Sequence, residues 1–534
     1  MIQGIFRSLL FILISASSLI AQTNTVGLLH SDQNVSEGYT LFTPERNTSV
    51  FLIDNCGQIV NEWDFSERPA LTCYLLENGN LLRAGKDSLE IRDWDNNLLW
   101  SYAMTANGMN QHHDIEPLPN GNILCVVKDI YTPAEMIAAG RDSSLLEESF
   151  ALDKVIEIEP VGSHDANIVW EWKFMDHLIQ EFDDSKENFG VVSMHPELLD
   201  INYLNGFLSD FVHVNGIDYN EELDQIMLST RHTSELHIID HSTSTEEAAG
   251  HSGGNYNQGG DFLWRWGNPL AYQQGDSSDQ KLFYQHDCKW VESGYLDENK
   301  ITVFNNLGDG SETFSSILLL NPSIADSIYE KENDIFLPLE AEWSWSGTIL
   351  GDTVYENKKS GVQSLPNGNM LFCENSKGQL SEITKTGEVL WVYRNPSGLE
   401  LSEQFEDPLL VENFIFRGEK YPGDYAGFIG QDLIPSTTIE NQNSLSDSCL
   451  IISDIKEISE TRYHIINPVR NNQIQFTSTI KADRIALYNV NGKMISERMN
   501  FIGNSIPINS HPGIYFIQIS FDGLQEVHKV IIAE

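Results

Sequence analysis

Three histidines, His113, His213 and His286, stand at equivalent places in three successive copies of a repeat. Each opens an apolar-alternating strand: His113-Asp-Ile-Glu-Pro-Leu, His213-Val-Asn-Gly-Ile-Asp, and His286-Asp-Cys-Lys-Trp-Val. A neutral imidazole is both a nucleophile and a proton carrier near neutral pH. If the repeats form a ring, equivalent positions meet at its axis and the three rings converge. Asn215 lies two residues beyond His213 and so on the same strand face. The run Leu228-Ser-Thr-Arg231-His232 follows a turn at 220–224, so a hairpin returns Arg231 toward His213. Arginine offers a planar donor fork suited to an oxyanion. One arginine among three histidines makes a small anion pocket. Three histidines can also bind zinc or copper, although an adjacent arginine is unwelcome beside a cation. A third use is plain binding of an anionic ligand without chemistry.

The elements that position these residues are strands. An aromatic-x-aromatic pair recurs six times, at Trp63/Phe65, Trp100/Tyr102, Trp170/Trp172, Trp264/Trp266, Trp343/Trp345 and Trp391/Tyr393. Upstream of several pairs lies an Asn-Gly turn, at Asn78-Gly79, Asn120-Gly121 and Asn367-Gly368, which predicts two-residue hairpins. Strand, hairpin, strand, turn and aromatic strand make one four-stranded unit. Six copies predict an all-β, six-bladed β-propeller over 22–430. The segment 38–65 lacks an inner strand, and 409–418 is placed to supply it and close the ring without an exposed edge. Segments 131–150 and 175–211 read as helical or irregular excursions. These two and the Gly/Asn/Ser-rich 241–262 flank the histidine strands and read as walls or a lid.

Composition limits partners. The chain has 534 residues, with 78 acidic against 32 basic and a net charge of -46. Such a surface repels nucleic acid and anionic membranes, so an anionic substrate needs a local positive pocket. Residues 1–21 read as a secretory signal, with Arg7 ahead of a short apolar core. The six cysteines are scattered without a Cys-x-x-Cys spacing and read mainly as buried thiols. No Gly-x-Ser-x-Gly, P-loop or dinucleotide fingerprint occurs, and no cofactor or metal ligand set is assigned. His112, His164, His177, His237 and His511 read as structural. Residues 431–460 read as a linker, followed by short strands over 461–534 that predict a small β-sandwich.

Two resemblances follow from these residues. Ile466-Asn-Pro-Val-Arg470, Leu487-Tyr-Asn-Val-Asn-Gly-Lys493, Pro512-Gly-Ile-Tyr-Phe516 and Lys529-Val-Ile-Ile resemble the C-terminal sorting domain of the type IX secretion system of Bacteroidetes. This implies export to the cell surface or medium through that machinery. The runs Asp210-Phe-Val-His213-Val-Asn215, Ser229-Thr-Arg231-His232, Trp264-Arg-Trp-Gly-Asn-Pro269, Gln285-His286-Asp and Val303-Phe-Asn-Asn306 resemble the bacterial arylsulfotransferases. That resemblance spans most of 40–420. It implies a six-bladed propeller that moves a sulfuryl group from an aryl sulfate to a phenol through a histidine, without a nucleotide sulfate. Matched by motif, His286 takes the place of the sulfurylated histidine. His213 and Arg231 match the groups that bind sulfuryl oxygens, with Asn215 an added donor. His113 matches the remaining active-site histidine, with His112 adjacent in register. Oligomeric state is left open.

Overall fold

A computed structural model describes residues 24–204, 209–405, 407–440, 465–470, 473–489, 493–508, 513–521 and 524–532. The expected signal segment lies outside them. The chain divides into two compact units, 1–444 and 445–534. Among the described residues no helix is long and apolar enough to cross a membrane.

Among the described residues the first unit holds six antiparallel sheets of four or five strands. The first strand of each sheet is labelled here in chain order: β1 Pro69–Leu75, β2 Asn110–Pro117, β3 Val214–Asn220, β4 His286–Trp290, β5 Val362–Ser364 and β6 Ile415–Tyr421. Each packs on the next, and β6 packs on β1, so the six strands close a ring. The ring is sealed as 38–65 requires: β6 pairs antiparallel with Tyr39–Pro44. A second seal was not expected. Gly27–Ser31 adds a fifth strand to the β5 sheet by pairing with Val389–Arg394.

The aromatic repeat explains how neighbouring sheets are joined. The leading tryptophan of each pair lies on the fourth strand of its sheet and donates its indole N–H to the next sheet or its loops. Trp63 reaches the Asp93 carbonyl, Trp100 Asp165, Trp264 Leu337, Trp343 Lys385 and Trp391 Asn55, at 2.8 to 2.9 Å. Trp170 reaches the Thr243 hydroxyl at 3.2 Å. A buried indole N–H needs such a partner, so the tryptophan both fills the inter-sheet layer and fixes the neighbour's position.

At the ring the same task falls to carboxylates. Asp114 on β2 accepts from the Ile217 N–H on β3, Asp218 on β3 from Trp290 on β4, and Asp287 on β4 from Val362 on β5. Each of these three strands thereby pins the next.

The Asn-Gly turns differ in one respect from expectation. Leu76 N–H donates to the Asn80 carbonyl and Gly79 N–H to Leu76, enclosing three residues rather than two. Gly79, Gly121 and Gly368 all have φ between 81° and 89°. This is the three-residue loop whose last residue must be left-handed, which is why glycine follows asparagine there.

Of the insertions, 131–150 is irregular with a helical turn as expected, and 241–262 packs otherwise than expected. Within 131–150 a short helix, Pro133–Ala138, is closed by a Thr132/Glu135 capping box. Segment 241–262 does not cover the histidines. It lies along the outer strand Asp165–Lys173 of the preceding sheet, where Trp172 donates to the Gly260 carbonyl and Glu171 N–H to Thr245. The start of the expected linker is also bound: Ile59 N–H donates to Thr437, and Ser436 N–H to Ile59. Cys56 is disulfide-bonded. Cys73, Cys125, Cys288 and Cys373 are buried free thiols, as their apolar surroundings imply.

The second unit is one hydrogen-bonded set of five strands over Ile465–Arg470, Gln473–Asn489, Met494–Pro507, Gly513–Phe521 and Leu524–Ile532. Gln473–Asn489 is one long strand where short ones were expected. Ile474, Phe476, Ile485, Leu487, Ile506, Ile517 and Ile519 fill its core.

Candidate active site

His113, His213 and His286 come from the ring strands of three consecutive sheets. His113 lies within β2, His213 immediately precedes β3, and His286 begins β4. The ladder is interrupted at this end of all three. Register slips between Gln111 and Ile115, between Val214 and Gly216, and between His286 and Lys289. His113, His213 and Asp287 have φ of 57°, 54° and 63°, left-handed values that cost a non-glycine residue energy. Bulges of this kind re-aim side chains. Here they turn imidazoles out of the pleat toward one another.

The His113 and His213 rings stand 4.7 Å apart, edge to face. His286 is buried and close enough to His213 and Arg231 that their charges oppose its protonation. Each histidine has one nitrogen committed. His286 Nδ1 lies 2.8 Å from Asn306 Oδ1. The Asn306 amide nitrogen donates to the Glu356 and Lys359 carbonyls, so its oxygen must face the ring. His286 Nδ1 therefore carries the proton and Nε2 the lone pair. His213 Nδ1 lies 2.8 Å from Asp210 Oδ2, which also accepts from Lys128 at 2.7 Å. Burial alone would raise the Asp210 carboxyl, but these two partners outweigh it and hold it well below its usual range. Asp210 is thus an ionised acceptor, and His213 also keeps its proton on Nδ1. For His113 the chain is longer. Asp153 Oδ1 lies 2.9 Å from His112 Nε2, and His112 Nδ1 lies 2.7 Å from His113 Nδ1. With His112 donating to the carboxylate, its Nδ1 accepts from His113. His286 Nε2 and His113 Nε2 are left as lone pairs, and His213 Nε2 is the position that can gain or lose a proton. Of the adjacent pair, His113 packs on His213 and His112 backs it.

Desolvation first, then nearby positive groups, hold His286 and His113 well below the usual histidine range. They are neutral in the folded protein at neutral pH. The unfolded chain binds protons at about pH 6.5, so stability is complete above that pH and is lost as pH falls below it. Between about pH 6.5 and 5, the thermal midpoint of His286→Gln is expected to fall less steeply than that of the wild type. An equal slope would mean that His286 is protonated in the fold.

Arg231 sits on the turn after the second strand of its sheet, and its N–H donates to the His213 carbonyl at 3.1 Å. The hairpin does return it to His213. Its guanidinium lies over the Tyr284 ring, 4.7 Å from the centroid. Among the described residues no carboxylate comes within ion-pair distance of it. In a chain of net charge -46, a half-buried arginine without an acidic partner is set for an outside anion. Asn215 is placed differently. The bulge turns its side chain into the ring, where its amide nitrogen donates to the Gln285 carbonyl at 2.7 Å and its oxygen has no partner. It joins β3 to β4 through one of its two amide hydrogens.

Sequence reasoning assigned no role to Asp153, Asp210, Asn306 or Arg417. Arg417 on β6 lies buried between Asp114 Oδ2 at 2.7 Å and Asp287 Oδ1 at 2.9 Å, and donates to the Asn215 carbonyl at 3.2 Å. The signal for its two partners was the recurring His-Asp of His113-Asp114 and His286-Asp287.

A family model described as arylsulfotransferase (ASST) matches residues 25–321, more than half of the chain. The chain belongs to the arylsulfotransferase family. A second model, the secretion system C-terminal sorting domain, matches 467–533. Membership of the first supports a sulfotransferase, and the sorting domain supports export to the cell surface or medium. No curated protein matches the sequence. Similar solved structures include a protein of unknown function from Bacteroides caccae, 14% identical, covering 67% of this chain and 94% of that one, with a TM-score of 0.35. A streptogramin B lyase is 9% identical over 75% of this chain and 96% of its own, with a TM-score of 0.35. The virginiamycin B lyase of Staphylococcus aureus is 10% identical over 69% and 88%, with a TM-score of 0.32.

Proposed function

We propose that this arylsulfotransferase moves a sulfuryl group from an aryl sulfate to a phenol in two steps through His286, without a nucleotide sulfate. We read the first unit as a six-bladed propeller within 22–430. A linker then leads to a small sorting sandwich over 461–534, with a signal peptide at 1–21. The observation that carries the reading is Arg231, a cation with no carboxylate at ion-pair distance among the described residues, beside three imidazoles.

In the first step His286 Nε2 attacks sulfur, and the sulfur–oxygen bond to the aryl group breaks with its electron pair on oxygen. The ring becomes an N-sulfo imidazolium whose Nδ1–H still donates to Asn306. Arg231 holds sulfuryl oxygens, where charge redistributes in the transition state. A phenol has a pKa of about 10, so the departing phenolate gains from a proton. His213, backed by the ionised Asp210, is the better carrier, because desolvation keeps His113 neutral; it enters the first step as an imidazolium and gives its Nε2 proton to the phenolate oxygen. In the second step an acceptor phenol gives its proton to His213 and takes the sulfuryl group.

Replacing Arg231 by methionine keeps the stacking on Tyr284 but removes the donors. Single-turnover phenol release from a chromogenic aryl sulfate should slow by about 10²–10³-fold. Release that speeds up with added phenol supports a transferase. Release to water alone would make the protein a hydrolase, and no release at all would favour a propeller that only binds sulfated or aromatic ligands.

A further inference from the structure

A second cluster of histidine and carboxylate lies away from the ring strands. His177 follows the outer strand Asp165–Lys173 of the β2 sheet, and His251 and Asp261 bracket the glycine-rich stretch of the 241–262 loop. His177 is fully buried and stacks on Trp172, with ring planes 6° apart. Its Nε2 lies 2.8 Å from the Ala248 carbonyl. A carbonyl can only accept, so this nitrogen carries the proton and Nδ1 holds a lone pair. That lone pair faces Asp261 Oδ1 at 2.8 Å, and His251 Nδ1 approaches the same oxygen at 2.7 Å. A neutral ring nitrogen and a carboxylate oxygen are both acceptors. At this separation they need a proton or a metal ion between them.

We propose that His177 Nδ1, His251 Nδ1 and Asp261 form a zinc site that clamps the 241–262 loop to the neighbouring sheet. The arrangement is that of a metal-bound histidine, one nitrogen on the ion and the other N–H held by a backbone carbonyl. Two imidazoles and one carboxylate suit zinc, with a fourth position left for water. Ligand atoms about 2.0–2.1 Å from a tetrahedral ion stand roughly 3.3 Å apart. The cluster must therefore open by about half an ångström. His251, whose side chain is 62% exposed, can draw back from Asp261, and the Asp261 carboxylate must turn from His177, which is fixed by its stack and its carbonyl. The ion would tie the long connection of the β3 sheet to the β2 sheet, beside the indole bond from Trp172 to Gly260.

The competing account is a second proton on His177, giving an imidazolium paired with Asp261. Elemental analysis separates the two. The purified full chain is stripped with a chelator, titrated with zinc, and compared with His251→Ala and with His213→Ala. The expected result is one zinc per chain in the wild type and in His213→Ala, with a higher thermal midpoint on zinc addition. In His251→Ala, whose lost side chain is largely exposed, zinc affinity should drop by roughly 100-fold or more and the thermal shift should vanish. Zinc retained equally by His251→Ala overturns the proposal, as does a wild type that binds none. Zinc lost from His213→Ala but kept by His251→Ala would instead place the ion among the catalytic histidines.

Discussion

His286→Ala is expected to reduce acceptor-dependent sulfuryl transfer by on the order of 10⁴-fold or more, because it removes the nucleophile and not merely a contact. Three features single out His286 among the histidines. Its Nδ1 faces an amide oxygen whose own amide nitrogen is held by two backbone carbonyls, so the tautomer is fixed. Burial and the neighbouring cations keep it neutral, so the lone pair on Nε2 is available at neutral pH and below. Its partner Asn306 is uncharged, whereas His213 is paired with a carboxylate. A carboxylate would suit a proton carrier, and a neutral acceptor suits a ring that gains and loses a sulfuryl group. Incubation with an aryl sulfate and no acceptor should add the mass of one SO3 group to the peptide containing His286. His286→Ala should show no such addition. Turnover at the wild-type rate in that variant, or a label on another residue, would sink the assignment.

The histidines were legible because chemistry and repeat coincide in them. A residue type that is rare in strands recurs at one place in three copies. The backing groups were less legible. Asp153 lies on a middle strand of its sheet, two strands from His112, and reaches it directly across the intervening strand. Asp210 and Asn306 stand inside family-like runs, but nothing local shows which ring each one holds. Arg417 comes from the strand that closes the ring, more than a hundred residues from His286, so its place depends on closure itself. Asn215 is aimed otherwise than the strand period implies, for a physical reason. The two-residue rule for strand faces fails across a bulge, and β3 bulges between Val214 and Gly216. The same irregularities that build the site hide it from period counting. The aromatic repeat was read correctly as a unit marker, yet its role emerges only in three dimensions, where each leading indole binds the next sheet.

The second large effect concerns stability. Arg417→Met is expected to destabilise the first unit by about 3–5 kcal/mol. Arg417 is the cation between Asp114 and Asp287, all three buried. The contact with Asp287 Oδ1 is an ion pair without hydrogen-bond alignment, so the attraction there is chiefly Coulombic. Removing the arginine leaves two carboxylates facing each other in a desolvated ring. Neither can turn away, since Asp114 also holds the Tyr74 hydroxyl and the Ile217 N–H, and Asp287 the Val362 N–H. One of them must then take up a proton to stay folded. Its folded-state pKa would rise above the unfolded value of about 3.9. A carboxyl raised in this way binds more protons folded than unfolded, so the variant loses stability as pH rises above about 4. The deficit in thermal midpoint relative to the wild type should therefore be larger at pH 8 than at pH 5. Adding Asp287→Asn to Arg417→Met removes one of the stranded charges and should recover a large part of the loss, a coupling expected of residues in direct contact. A deficit independent of pH and unrelieved by Asp287→Asn would mean that Arg417 acts by filling space and not by its charge.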